Sequence, residues 1–184
     1  PREARMHLDF MRDKSKVMPQ IESPLEVTSI RIWHCKYESL EQINKCKNIE
    51  VLVIASLPAE DFEFLKNFKN LKYLSVVHLP KINDLSPLEA ITSLETVSLS
   101  TLPSWDSSGK VSVVSTLVPL ASLPKLKHLE LFGVRPENKS PLELTSSKSL
   151  VSIRLSKYAK KLEKELYEST GITNDWAPEP EFRN

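Results

Sequence analysis

The sequence predicts an α/β solenoid, with short parallel strands stacked along one face and turns or short helices along the other. Three observations carry this reading. An apolar-x-x-apolar-x-apolar pattern recurs along the 184 residues. Further apolar columns keep step with that pattern. The composition, with 3 glycines and 13 prolines, disfavours glycine-rich phosphate loops and long uninterrupted helices.

The pattern reads VTSIRI from Val27, IEVLVI from Ile49, LKYLSV from Leu71, LETVSL from Leu94, LKHLEL from Leu126 and LVSIRL from Leu150. Successive spacings are 22, 22, 23, 32 and 24 residues. A step of 22 back from Val27 reaches Arg5, and Leu8 and Phe10 then fall on the second and third apolar positions of a seventh, degenerate unit. Three residues past the third apolar position stand Cys35, Leu57, Leu79, Leu102 and Val134. Nine and six residues before the units stand Met18 and Ile21, Leu40 and Ile43, Phe62 and Leu65, Leu85 and Leu88, and Leu117 and Leu120. Cys46, Phe68, Ile91 and Leu123 stand three before. Single coils cannot bury such columns alone, so the coils must stack and the ends need caps.

Over residues 5 to 156 this arrangement resembles the leucine-rich repeat family. INDLSPLEAITSLETVSLS, from Ile82, looks like the 22-residue class of phosphatase regulators and internalins; the pairs Leu57-Pro58, Leu79-Pro80 and Leu102-Pro103 look more like plant intracellular receptors. The family's usual turn asparagine is replaced by Leu, Cys or Val. The resemblance implies a right-handed solenoid with about seven strands, near 5–11, 27–33, 49–55, 71–77, 94–100, 126–132 and 150–156. It forms one domain over 1–172, followed by an extended tail over 173–184. It also implies a non-enzymatic protein–protein interaction module, similar to bacterial regulators or immunity-type binders. The alternatives are an extracellular adhesin or immune-receptor fragment, and a regulatory subunit of an enzyme such as a phosphatase.

A capping helix is expected over 157–170. Tyr158, Leu162 and Leu166 form one helical stripe, Ser156 suits the N-cap and Gly171 the C-terminal stop. Lys161 with Glu165 and Lys164 with Glu168 are i,i+4 pairs on its solvated face. Residues 103–116 are an insertion, with a turn at Asp106 to Gly109 and a short strand signal at Val111 and Val113. SPLE occurs at Ser23, Ser86 and Ser140. The last two read as equivalent turn starters, with Ser86 as cap and Glu89 completing a capping box, whereas the first is out of phase.

Several functions are disfavoured. A net charge of +1 argues against nucleic acid, whose binding rests on phosphate neutralisation. No stretch approaches the ~20 apolar residues that cross a bilayer. Cys35 and Cys46 occupy apolar columns, so a metal site with His34 is not expected, nor is any cofactor. His128 and Glu130 imitate a His-x-Glu box without its P-C-x-x-C partner, so no catalytic residue is assigned. The expected compartment is the cytoplasm, with export left open because the chain opens on Pro1. The expected state is a monomer.

The outward strand positions define three columns: His7, Ser29, Val51, Tyr73, Thr96, His128, Ser152; Asp9, Arg31, Val53, Ser75, Ser98, Glu130, Arg154; and Met11, Trp33, Ala55, Val77, Ser100, Phe132, Ser156. Apolar residues there are not needed for folding, so Val51, Val53, Ala55 and Val77 beside Trp33 and Tyr73 suggest an interaction site. Aromatic and arginine anchors single out Trp33, Tyr73, Phe132, Arg31 and Arg154, with His128 and Glu130 beside them. Trp105 of the insertion is a further candidate. The competing reading is that VLVIA is a strand covered by a terminal segment of the same chain; separately, Trp176 and Phe182 are the residues able to pin the tail down, at a place the sequence does not specify.

Overall fold

Strand alternation sends the three apolar positions of each unit inward and the residues between them outward. The computed structural model describes residues 5–182; the first four residues of the predicted domain and the last two of the predicted tail lie outside the described residues. The units become β1 (Met6–Met11), β2 (Val27–Trp33), β3 (Val51–Ala55), β4 (Tyr73–Val77), β5 (Thr96–Ser100), β7 (His128–Phe132) and β9 (Ser152–Ser156), with β6 (Ser112–Val114) and β8 (Val134–Pro136) between them. Among the described residues, seven strands form one sheet in the order β1-β2-β3-β4-β5-β7-β9, and β6 pairs with β8 beside it. All pairings are parallel. Val51 faces Tyr73, Tyr73 faces Thr96, and Thr96 faces His128. The three outward columns of the sequence are therefore physical ladders, with one slip between Met6 and His7.

The inward columns pile into one core. Val27, Ile49, Leu71, Leu94 and Leu126 are fully buried, as are Ile43, Leu65, Leu88 and Leu120 on the convex side. Cys35 and Cys46 are buried free thiols within it. Leu8, Phe10 and Leu155, in the end coils, are only partly buried because they have a neighbour on one side alone. Leu102 is half-buried.

Convex turns are 3-10 helices at Glu41–Lys45, Glu63–Asn67, Ser86–Ala90 and Leu142–Ser146, and a short α-helix at Val118–Ala121. Each starts on a polar side chain ten residues before the next unit. Ser39, Asp61, Asp84, Thr116 and Ser140 accept the backbone N–H two residues on, from Glu41, Glu63, Ser86, Val118 and Leu142. This corrects the reading of SPLE. Ser140 is a cap, but in the Ser86 copy Asp84 caps and Ser86 follows, so the two copies are out of phase by two residues. With Ser86 inside the turn, Glu89 no longer stands three residues past a capping Ser and the expected box is not formed; in the other copy Glu143 accepts from Thr116 Oγ1 at 2.6 Å and Leu117 N at 3.1 Å in the preceding coil. The Ser23 copy forms its own 3-10 turn at Pro24–Glu26.

The capping helix runs over Lys160–Thr170, later than expected, and Gly171 ends it in the left-handed region. Ser156 does not cap it, because its hydroxyl accepts the Gly133 N–H at 2.9 Å. Leu166 and Glu163 are buried beneath the helix, and Lys160 pairs with Glu163 at 3.1 Å. On the outer face Lys164 pairs with Glu168 at 3.7 Å. In the insertion, Pro103–Ser108 is a short helix ended by Gly109, where a bare turn was expected. Ser112 and Val114 face inward and Val113 outward, since pairing with β8 sets the phase.

One residue past six of the seven strands of the main sheet the backbone turns through positive φ, at Arg12, His34, Ser56, His78, Gly133 and Lys157; Thr101, after β5, is the exception. Only Gly133 requires glycine on steric grounds: a Cβ there would run into the Thr101 side chain. Gly133→Ala is expected to cost about 1–3 kcal/mol by overpacking, partly recovered in combination with Thr101→Ala, as read by urea melts. Phe68→Ala, at a fully buried site, is expected to cost about 3–5 kcal/mol. Leu25→Ala, at a residue 63% exposed, should stay within about 0.5 kcal/mol in the same assay.

Candidate protein-binding surface

The concave ladders do not face open solvent along their whole length. After Gly171 the chain turns back, and Thr173 adds to the edge of β9, exchanging bonds with Val151 and Ile153. The segment then passes across the sheet toward β1. Arg154 donates to the Asn174 carbonyl at 3.0 Å, and its guanidinium lies 4.0 Å from the centre of the Trp176 ring. Phe132 meets the same ring at 5.9 Å. The Ala177 N–H donates to Glu130 Oε2 at 3.3 Å, and Tyr73 Oη donates to the Pro178 carbonyl at 3.0 Å. Phe182 stacks on His7 at 4.1 Å, with the Arg31 guanidinium 5.4 Å from its ring centre.

Five of the eleven predicted partner-binding residues, Arg31, Tyr73, Glu130, Phe132 and Arg154, thus hold the chain's own terminal segment. The others divide. His128 Nδ1 is 2.8 Å from Ser152 Oγ, a cross-strand bond that gives its imidazole a structural role. Trp105 packs edge-on against His78 at 5.4 Å, and the insertion is tied down by Lys157 with Asp106 at 3.4 Å. Val51 is half-buried and Val53 is only 5% exposed. Trp33 and Val77 are half-exposed and line a pocket of about 310 Å3 between sheet and tail, together with Arg31, Val53, Tyr73 and Glu130.

Charge is balanced locally. Arg31 grips Asp9 with two bonds, at 2.6 and 2.9 Å. The Arg31 hydrogen bond holds the Asp9 carboxyl below its ordinary pKa, and His7 assists. His7, Trp176 and Phe182 were absent from the predicted set. The signal for the last two was two aromatic residues in an otherwise polar tail; His7 carried no comparable signal, because a lone histidine on an edge strand reads as solvated. Among the described residues, no group of three His, Cys, Asp or Glu could hold a metal ion. No helix among them is long and apolar enough to cross a membrane.

No protein-family model matches the sequence, and no curated protein matches it. Among solved structures the chain is similar to internalin C2 from Listeria monocytogenes, with a TM-score of 0.50 and 20% identity over 74% of this chain and 66% of that one. The fold is a leucine-rich-repeat solenoid. Internalin F from the same species aligns at 18% identity and a TM-score of 0.46, over 78% of this chain and 46% of that one. The solenoid described here thus spans just under two thirds of the internalin C2 chain and under half of internalin F.

The solenoid's four tyrosines share one electrostatic trait. Burial pushes Tyr73 up to about 12, with Glu130 and Glu179 adding to it. Burial likewise pushes Tyr167 up to about 12, and raises Tyr37 and Tyr158. A phenol whose pKa is higher in the folded state contributes stability that is complete below about pH 10 and is lost as pH climbs toward the folded value. Spectrophotometric titration at 295 nm should therefore show almost no tyrosinate near pH 10, then a steep rise that coincides with loss of the far-ultraviolet dichroism. A normal tyrosine transition in the folded protein would contradict this account.

Proposed function

We propose that this solenoid is a non-enzymatic protein-interaction module that takes a specific protein partner on its concave face. The observation that carries the reading is the pocket between sheet and tail, where Trp33 and Val77 stay half-exposed beside the buried Val53. The fold does not require an aromatic and apolar strip at outward strand positions, because the inward columns already complete the core. Such a pocket suits a buried apolar anchor with polar groups at its edge, the arrangement in which most binding energy concentrates. Arg31 and Glu130 supply those polar groups here. Trp105 extends the surface along the rim, and Val51, His128, Phe132 and Arg154 continue it along the ladders.

The partner is best obtained by affinity purification from the source organism and then measured as a purified protein by surface plasmon resonance. Trp33→Ala is expected to weaken that complex by roughly 2 kcal/mol or more, about thirtyfold. Its melting temperature should move by no more than a few degrees. Unchanged affinity together with a clearly lowered melting temperature would make Trp33 a packing residue and remove it from the interface.

A further inference from the structure

The terminal segment is bound as a peptide ligand would be bound. Thr173 to Phe182 is ten residues, roughly 33 Å at full extension. From β9 to β1 the sheet has six strand spacings, roughly 29 Å. One extended pass therefore covers the groove. Pro178 and Pro180 suit that geometry, since proline favours an extended backbone and lacks the N–H that sheet pairing would use. Beyond Thr173, the groove holds the segment's backbone through side chains: Arg154 and Tyr73 donate to carbonyls, and Glu130 accepts an N–H. Those contacts read a backbone and leave the sequence free. Selection falls on the two ends, where Trp176 meets Arg154 and Phe132, and Phe182 meets His7 and Arg31.

Two features distinguish this segment from a core element. Its contacts across the sheet are with outward positions, Arg154, Phe132, Glu130, Tyr73, His7 and Arg31, whereas Leu74, Val97 and Leu129 belong to the core on the other face. Trp176, its principal aromatic, stays 68% exposed. The segment also carries Asp175, Glu179 and Glu181, while the groove presents Arg31 and Arg154 along with Asp9 and Glu130. We propose that residues 173–182 are an intramolecular stand-in for the partner. The groove then takes in trans an extended, proline-containing peptide whose two aromatic residues lie six positions apart, and that peptide displaces the tail. This rests on the concave face being the binding face, and adds the chemistry of the partner and the competition that regulates access.

The test uses the full chain and a fluorescein-labelled peptide of sequence TNDWAPEPEF, followed by fluorescence anisotropy. In the wild type the tethered tail competes at an effective concentration near the millimolar range, so the peptide should bind weakly; W176A/F182A should bind it about tenfold more tightly or better. A control peptide with alanine at both aromatic positions should not bind, and Arg154→Ala in the double variant should weaken binding. Cooperative melting of each variant, followed by circular dichroism, shows that it is folded. A folded double variant that binds the peptide no better than the wild type overturns the proposal and makes the tail a structural strap. A wild-type dimer that W176A/F182A dissociates also overturns it, since the occupant would then be a second copy's tail. The Trp33→Ala measurement separates this proposal from the broader reading. Loss of partner binding there, with no peptide binding here, leaves the concave interface standing and removes only the stand-in.

Discussion

Everything in this molecule depends on coils stacking in step. A single 22-residue turn has too little interior to bury its own apolar side chains, so Ile49 is buried only because Val27 and Leu71 lie in register beside it. Parallel backbone bonds lock that register from β2 to β9, and a slip of one residue would turn each apolar position toward solvent. The looser packing of Leu8, Phe10 and Leu155 marks where stacking runs out. The helix after β9 covers one such end with Leu166, while Tyr158 ties its approach to the Val134 carbonyl at 2.7 Å.

Stacking also separates two kinds of residue. Inward columns answer to the core and admit Leu, Ile, Val, Phe or Cys. Outward columns are less constrained: some positions are buried or bonded across strands, as Ala55 and the His128–Ser152 pair are, and the half-exposed remainder is open to recognition. That division makes aromatic and arginine residues on the ladders informative. It also explains how a terminal segment can lie across them without disturbing the coils below. The tail meets side chains at outward positions, some of them, such as Arg31 with Asp9, already bonded across neighbouring strands.

The capping column shows a different kind of legibility. Ser39, Asp61, Asp84, Thr116 and Ser140 recur ten residues before each unit, and each takes an orphan N–H at the start of a convex turn. The pattern was present in the sequence but hidden by the repeated SPLE letters, which look alike and sit at different phases. Chemical role followed position within the coil rather than the identity of the tetrapeptide. At the turns past β2 and β4, burial holds the His34 and His78 imidazoles below their ordinary pKa.

The amino-acid order alone determined the coil number, the strand positions, the inward columns and the contents of the three ladders, because periodicity of apolar residues translates directly into which side of a strand is buried. It determined less near the ends and in the insertion. There the phase of Ser112 and Val114 comes from pairing with β8, and the helix starts at Lys160 with Ala159 in the cap position, past Ser156, whose hydroxyl accepts the Gly133 N–H. The concave occupant was decided only by tertiary structure. Residues 173–182 have no periodic pattern, and the hydrogen-bond partners Arg154, Glu130 and Tyr73 lie 20, 47 and 105 positions away in sequence. Local patterning carries no record of a contact that long; it exists only once seven strands stand side by side and give the tail a surface to cross.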